Sequence, residues 1–295
     1  MVDFTLTDEQ LALREMAHDF AEKEMRPVAH EYDKDGTWPK DVLKKAWELG
    51  LMNSHLPEEY GGPGASYFEG ALIEEEMGWG CSGIGTSIAC NGLAAAPVML
   101  GGSDEIKKEY LTRLGEGGEL ASFCLTEPGA GSDVASMRTT AVKQGDKYVI
   151  NGQKCFITNG EYADWYTVYA KTDKDAGHRG ISAFVVPRDA GVVVDKKEDK
   201  MGQRASNTAT VSFNDIEIPA ANLLGQENGG FKLAMMTLDR TRPGVASMAV
   251  GIARSAMEHA ISYSKERIQF GVPIAAHQAI QFMIADMATK VHLAR

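Results

Sequence analysis

Cysteine is scarce in this sequence, and none of it is spaced for a metal. Cys81, Cys90, Cys124 and Cys155 form no CxxC pair and have no histidine at ligand spacing. They read as reduced thiols of a cytoplasmic or otherwise intracellular protein. The seven histidines contain no HExxH, so no metal site is expected. Positive charge is also short, with 30 Lys and Arg against 41 Asp and Glu and a formal net charge of -11. That balance disfavours nucleic acid and membrane surfaces as partners, because both are anionic. No run approaches the ~18 uninterrupted apolar residues of a membrane span. The acidic start, MVDFTLTDEQ, lacks the basic-then-apolar order of a targeting peptide. Ser132 in GAGSD is not the centre of a GxSxG, which argues against an acyl-enzyme hydrolase.

What is present suffices for a large core or about two ordinary domains: 295 residues, 44% hydrophobic and 24% charged. The first third reads as helix. Thr7-Asp-Glu-Gln10 spells a capping box, Trp38-Pro39 opens a second helix with Pro39 in its first turn, Phe68 to Leu72 starts a third, and Ser103-Asp-Glu starts another. After about Glu119 the apolar period falls to two. Segments around Met137–Val142, Tyr148–Ile150, Cys155–Thr158, Trp165–Ala170, Ile181–Val186 and Thr208–Ile218 then read as an antiparallel sheet. Helical spacing returns from Gly230, with a kink or break expected at Pro243. The fold class is therefore α+β: an N-terminal helical domain over 1–119, a middle β domain over 120–228, and a C-terminal helical domain over 229–295. The last helical pattern carries no terminating Gly or Pro, so that domain is expected to be incomplete.

Three stretches carry candidate chemistry. FCLTEPGAGSD (123–133) passes from strand into a loop in which Gly129 and Gly131 expose main chain while Thr126 and Ser132 offer hydroxyls. Such a loop suits a phosphate or the edge of a heteroaromatic ring; the alternative is a tight turn with Glu127 and Asp133 solvated. KCFITNG (154–160) repeats the arrangement, with Phe156 and Thr158 on alternate positions. Two strand ends with an aromatic face and hydroxyl donors can grip a flat tricyclic ring, although Phe156 also fits ordinary sheet packing. DRTRP (239–243) sets Arg240 and Arg242 beside Asp239, which suits phosphate or carbonyl recognition or equally a surface ion-pair cluster. GWGCSG (78–83) spells GxGxxG, but the segment before it is a helix with three consecutive glutamates, so it reads as a helix-to-helix turn.

Taken together the sequence resembles the acyl-CoA dehydrogenase family, closest to its short- and medium-chain members. The matching segments are FTLTDEQ, LPEEYGG (56–62), TEPGAGSD, INGQKCFITNG, KMGQRAS (200–206), DRTRP and ERIQFGVPIAAHQAIQFMIADM, in family order from residue 4 to residue 287. The resemblance implies non-covalent FAD held by Phe123, Cys124, Leu125, Thr126, Ser132, Phe156, Ile157 and Thr158. It implies that Arg267, Phe270 and Gln278 reach the FAD of a neighbouring subunit in a homotetramer. Acyl-CoA would meet Ser132, His178, Asp239, Arg240, Thr241 and Arg242, and electrons would pass to an electron-transfer flavoprotein. The closed end of the acyl tunnel would lie near Gly85 to Leu93, where Gly85 and Ala89 are small. Many relatives carry Trp where Phe156 stands.

The chemistry so implied is α,β-dehydrogenation of an acyl-CoA thioester, in which a glutamate removes the α proton while the β hydrogen leaves as hydride. An oxidase returning electrons to oxygen and a catalytically silent acyl-CoA-binding scaffold are the alternatives. The family's glutamate lies either late in the C-terminal domain or at the position held here by Thr241. The catalytic base is accordingly expected beyond Arg295, and the polypeptide 1–295 alone is expected to hold FAD weakly and turn over little.

Overall fold

The structure is a computed structural model and describes residues 5–295, so Phe4 of the FTLTDEQ segment lies outside the described residues. Thr7 caps α1 (Asp8–Phe20) as its spelling predicts. The Thr7 hydroxyl accepts the Gln10 N–H at 3.2 Å and the Gln10 side chain accepts the Thr7 N–H at 3.1 Å. A π-helical turn, Ala21–Met25, leads into α2 (Arg26–Asp35). No segment read as helix from the sequence covers α2, none of whose residues is fully buried; Val28 and Tyr32, one turn apart, pack from it against the core of the N-terminal helices. Next comes α3 (Lys40–Glu48), with Pro39 one residue ahead of the first turn. Two further helices are α4 (Tyr67–Gly101) and α5 (Asp104–Gly115), the latter capped by Ser103 accepting the Ile106 N–H at 3.3 Å.

The GWGCSG segment is a helix-to-helix turn compressed to one residue, Cys81, whose extended backbone (φ -164, ψ 112) interrupts α4. The two halves of α4 fold against each other there, and a Cβ on Gly85 would lie 3.0 Å from the Met77 Cβ. By length and composition α4 could cross a membrane, but 67% of its most apolar window is buried inside the fold. Its apolar character is used in packing against the sheet and the C-terminal helices.

Eight strands follow: β1 (Ala121–Cys124), β2 (Thr140–Gln144), β3 (Lys147–Thr158), β4 (Trp165–Lys171), β5 (Ile181–Pro187), β6 (Val193–Lys197), β7 (Thr208–Pro219) and β8 (Leu223–Leu224). Their order is β6-β7-β3-β2-β4-β5-β8, with β1 on β4. The pairing is antiparallel apart from β1, which runs parallel to β4, and a single parallel pair between Thr140 and Lys171. Alternation along β4 divides two cores. Trp165 and Tyr169 meet α4, α5 and the start of α6, while Tyr166, Val168 and Ala170 face Phe184, Val211 and Phe213 within the sheet domain.

The long helix α6 (Gly230–Glu266) runs unbroken through Pro243, where the sequence suggests a kink or break. Packing on both sides of the proline explains its continuity. Leu233 and Ala234 are buried before it, and Gly251 presses on α4 after it. A Cβ on Gly251 would sit 1.9 Å from the Glu75 carbonyl oxygen, and one on Gly78 would sit 2.1 Å from that of Met248. The two main chains therefore touch at a crossing that only glycine allows. Arg254 locks the crossing by donating to Glu75 Oε1 at 2.9 Å and Glu76 Oε1 at 2.8 Å. A short hairpin of β9 (Ile268–Gln269) and β10 (Val272–Pro273) then leads to α7 (Gln278–Ala294).

Candidate functional site

Main-chain and side-chain bonds set the FCLTEPGAGSD and KCFITNG stretches side by side. Ser122 Oγ donates to the Thr158 carbonyl at 2.7 Å, and the Cys155 N–H donates to the Thr126 carbonyl at 2.9 Å. Beneath them lies a buried ion pair, Lys154 Nζ to Glu127 Oε1 at 2.8 Å, with the same ammonium donating to the Leu125 carbonyl at 3.0 Å. The Glu127 carboxylate also accepts the Arg138 N–H at 2.6 Å and the Thr139 N–H at 3.0 Å. Glu127 is thus the anchor of the loop, neither solvated nor aimed at a ligand.

Above this base the surface is a ledge. Phe156 sits in a bulge of β3 with φ 58 and is 65% exposed. The Thr126, Ser132 and Thr158 hydroxyls have no hydrogen-bond partner among the described residues. A Cβ on Gly129 or Gly131 would meet nothing within 4 Å, so the loop main chain stands open. Cys124 and Ile157 point into the sheet core, and Leu125 and Phe123 pack on the core shared with the helices, which leaves main chain as what Cys124 and Ile157 can offer a ligand. Asn159, with φ 55, turns the chain and donates from Nδ2 to the Ser87 carbonyl at 2.9 Å, tying the ledge to α4.

A cleft of about 350 Å³ opens from this ledge between α4 and α6. Thr158 and Cys90 line its end at the ledge, Leu93, Val245, Met248 and Ile252 make its walls apolar, and Arg240 and Thr241 border it from α6. Burial pushes the Cys90 thiol up to about 12, so it stays protonated there. The Thr241 hydroxyl donates to the Thr237 carbonyl at 3.1 Å. Asp239 and Arg242 form an exposed ion pair at 3.0 Å on the outer face of the same helix. His178 is exposed on a turn packed beside the Val134–Ser136 turn that follows Ser132, its ring 5.1 Å from that of Phe231.

Arg267, Phe270 and Gln278 are not part of this cluster. At ~1.5 Å of rise per residue, α6 separates Thr241 from Arg267 by roughly 39 Å. All three are exposed: Arg267 caps the end of α6, Phe270, 94% exposed with φ 55, sits at the tip of the β9–β10 hairpin, and Gln278 begins α7. Sequence reasoning missed Glu74, which lines the cleft from α4, and His55 and Tyr67 beside it. The only sequence sign was the run of three glutamates, whose members look alike until α6 is packed against them.

Comparison with known proteins matches three consecutive parts of the chain to one family. Residues 7–118 match the acyl-CoA dehydrogenase N-terminal domain, 122–216 the middle domain and 228–295 the C-terminal domain. The chain is 48% identical to the probable acyl-CoA dehydrogenase YngJ of Bacillus subtilis (strain 168), over all of this chain and 78% of that protein. It superposes on butyryl-CoA dehydrogenase from Megasphaera elsdenii with a TM-score of 0.95 at 42% identity, covering 99% of this chain and 78% of the other. A chain solved in work on the electron transferring flavoprotein of Acidaminococcus fermentans and flavin-based electron bifurcation gives a TM-score of 0.96 at 46% identity, covering 99% and 77%.

Proposed function

The chain belongs to the acyl-CoA dehydrogenase family, and from that premise we propose that it converts a fatty acyl-CoA to the trans-2-enoyl-CoA and passes the electrons to an electron-transfer flavoprotein. It is an oxidoreductase acting on CH–CH groups, and its cofactor is FAD. The observation that carries the proposal is the position of Thr158, which ends the strand bearing the exposed Phe156 and also lines the apolar cleft. A flat ring on the ledge and an acyl chain in the cleft would meet there.

The residues present fit FAD. Phe156 offers an exposed aromatic face, Thr126, Ser132 and Thr158 offer hydroxyls without a partner among the described residues, and main chain from Phe123 to Leu125 and at Ile157 supports the edge. When bound, FAD accepts the β hydrogen as hydride. The chain's own part is alignment and exclusion of water. Leu93, Val245, Met248 and Ile252 lower the polarity around the thioester, which makes a carboxylate base stronger and hydrogen bonds to the developing enolate more effective. Thr241, already bonded to Thr237, is no base. Arg240, Thr241 and Ser132 are assigned to the acyl-CoA, with Asp239, Arg242 and His178 toward its nucleotide end. The segment 267–278 that joins α6 to α7 and carries Arg267, Phe270 and Gln278, too far along α6 to serve this site, is assigned to the FAD of a neighbouring subunit in a homotetramer. Exposed Phe282, Met283 and Leu293 on the adjoining α7 support burial by such a neighbour.

Anaerobic mixing of the native, FAD-loaded protein with butyryl-CoA tests the reaction. Loss of the visible flavin absorbance with an equal amount of enoyl-CoA is expected, and reoxidation by an acceptor dye should outpace reoxidation by air. Tight acyl-CoA binding without product would mean a scaffold, and oxygen uptake matching product would mean an oxidase.

Phe156→Gly separates ligand binding from stability. The left-handed backbone that strains Phe costs glycine little, so the melting temperature should hold or rise, while loss of the aromatic face weakens FAD about tenfold. A lower melting temperature with unchanged FAD affinity would assign Phe156 to packing instead.

A further inference from the structure

Glu74, Glu75 and Glu76 are consecutive on α4, yet their surroundings differ. Glu75 and Glu76 are buried and paired with Arg254. Glu74 faces the cleft and has no hydrogen bond or ion pair among the described residues. Its head occupies the space left by a glycine of α6. A Cβ on Gly244 would lie 2.4 Å from Glu74 Oε2 and 2.6 Å from Oε1. Glu74, His55, Ala89 and Gly92 also border a second, inner cavity of about 30 Å³ whose far wall is Leu51, Ile73 and Ile88. Glu74 therefore stands where the main cleft narrows inward, away from the end lined by Thr158.

We propose that Glu74 sets the acyl specificity of this cleft, selecting chains that carry a hydroxyl or ammonium group and disfavouring chains that end in a carboxylate. The inference rests on the acyl-CoA reading of the cleft. An apolar tail would remove water from the Glu74 carboxyl and offer nothing in return, whereas a donor on the tail pairs with it. Burial pushes the Glu74 carboxyl up to about 7, as expected for a carboxyl with no nearby compensating cation. Of the groups facing it, His55 is held below its usual range by burial and turns Nδ1 to the Ala65 carbonyl at 3.2 Å. Tyr67 packs on His55 with ring centroids 4.6 Å apart and planes tilted by 37°, and Arg240 reaches over the Tyr67 ring at 5.9 Å without pairing to Glu74. Glu74 accepts from a hydroxyl whether or not it is ionised, so that preference persists across neutral pH. Rejection of a carboxylate-ended chain should strengthen as pH rises through about 7 and Glu74 ionises.

Binding of 3-thia-acyl-CoAs, which carry sulfur in place of the β carbon and so have no β hydrogen to lose, tests this by calorimetry on the native FAD-loaded protein. Methyl-ended and ω-hydroxy 3-thia chains of six to eight atoms are compared. The ω-hydroxy form should bind about tenfold tighter at its best length. Glu74→Leu should abolish that ratio and tighten the methyl-ended chain, while Glu74→Gln should keep the ratio and lose the pH dependence for a carboxylate-ended chain. Retained flavin absorbance in both variants confirms folding. An unchanged ratio in Glu74→Leu, with analogues still bound, overturns the role of Glu74 alone; failure of every analogue to bind overturns it together with the acyl-CoA reading.

Discussion

Replacing Lys154 by methionine should lower the unfolding free energy by about 3–5 kcal/mol, the usual consequence of removing one partner of a buried ion pair. Lys154 is 0% exposed, 2.8 Å from Glu127 Oε1 and 3.0 Å from the Leu125 carbonyl. Methionine leaves the Glu127 carboxylate buried without its cation. Burial opposes ionisation of Glu127, but the Lys154 ammonium and the Arg138 and Thr139 donors outweigh it and hold the carboxyl below its ordinary 4.5. A lowered folded-state value stabilises the fold above the ordinary value, and the benefit is lost as pH falls through the folded one. Without Lys154 the Glu127 value rises, so the buried carboxyl takes up its proton at higher pH and the stability lost in the variant should be largest near neutral pH and shrink as the solution is acidified. The Leu125–Thr126 ledge should slacken with it and FAD retention should fall. Urea unfolding followed by circular dichroism gives the first quantity. A loss below about 1 kcal/mol, in the range of an exposed pair, would show that this pair does not anchor the loop. Adding Glu127→Gln to Lys154→Met should cost less than the two single losses combined, since neither partner is then left charged alone.

Ala89→Trp should weaken octanoyl-CoA binding about 100-fold and butyryl-CoA binding much less. Ala89 borders both the cleft and the inner cavity, so an indole there fills the path of the acyl tail. Excluding roughly four methylenes at ~0.8 kcal/mol each removes about 3 kcal/mol, or about two decades in affinity. The dependence on chain length separates this from general damage, which would weaken both ligands alike. FAD retention should be unchanged because Ala89 lies outside the ledge.

What the sequence shows best is governed by near neighbours. The Thr7–Gln10 capping box and the Ser103 cap form as spelled, because both partners lie within one turn. The TEPGAGSD and ITNG segments do come together, and their glycines do leave main chain open. Features fixed by distant packing stay hidden. Glu76 meets Arg254 across 178 residues, so no local pattern distinguishes it from Glu74. Pro243 does not end its helix, because Gly251 and Arg254 hold the later half to α4. The parallel pairing of β1 with β4 has no local sign, β1 being only four residues long, and the exposed strand β6 carries no periodic signal because none of its residues is buried. The left-handed backbone at Phe156 follows from a bulge in the β3–β7 register, which the alternation around it does not reveal.

The central claim is that an acyl chain lies in the α4–α6 cleft and meets the flavin at Thr158. An anaerobic titration of the native FAD-loaded protein with octanoyl-CoA, read in the visible flavin spectrum, tests it most directly. The account predicts a saturable spectral change in the wild type that requires about 100-fold more ligand in Ala89→Trp. A flavin spectrum indifferent to octanoyl-CoA, or superimposable titrations of the two proteins, would contradict it.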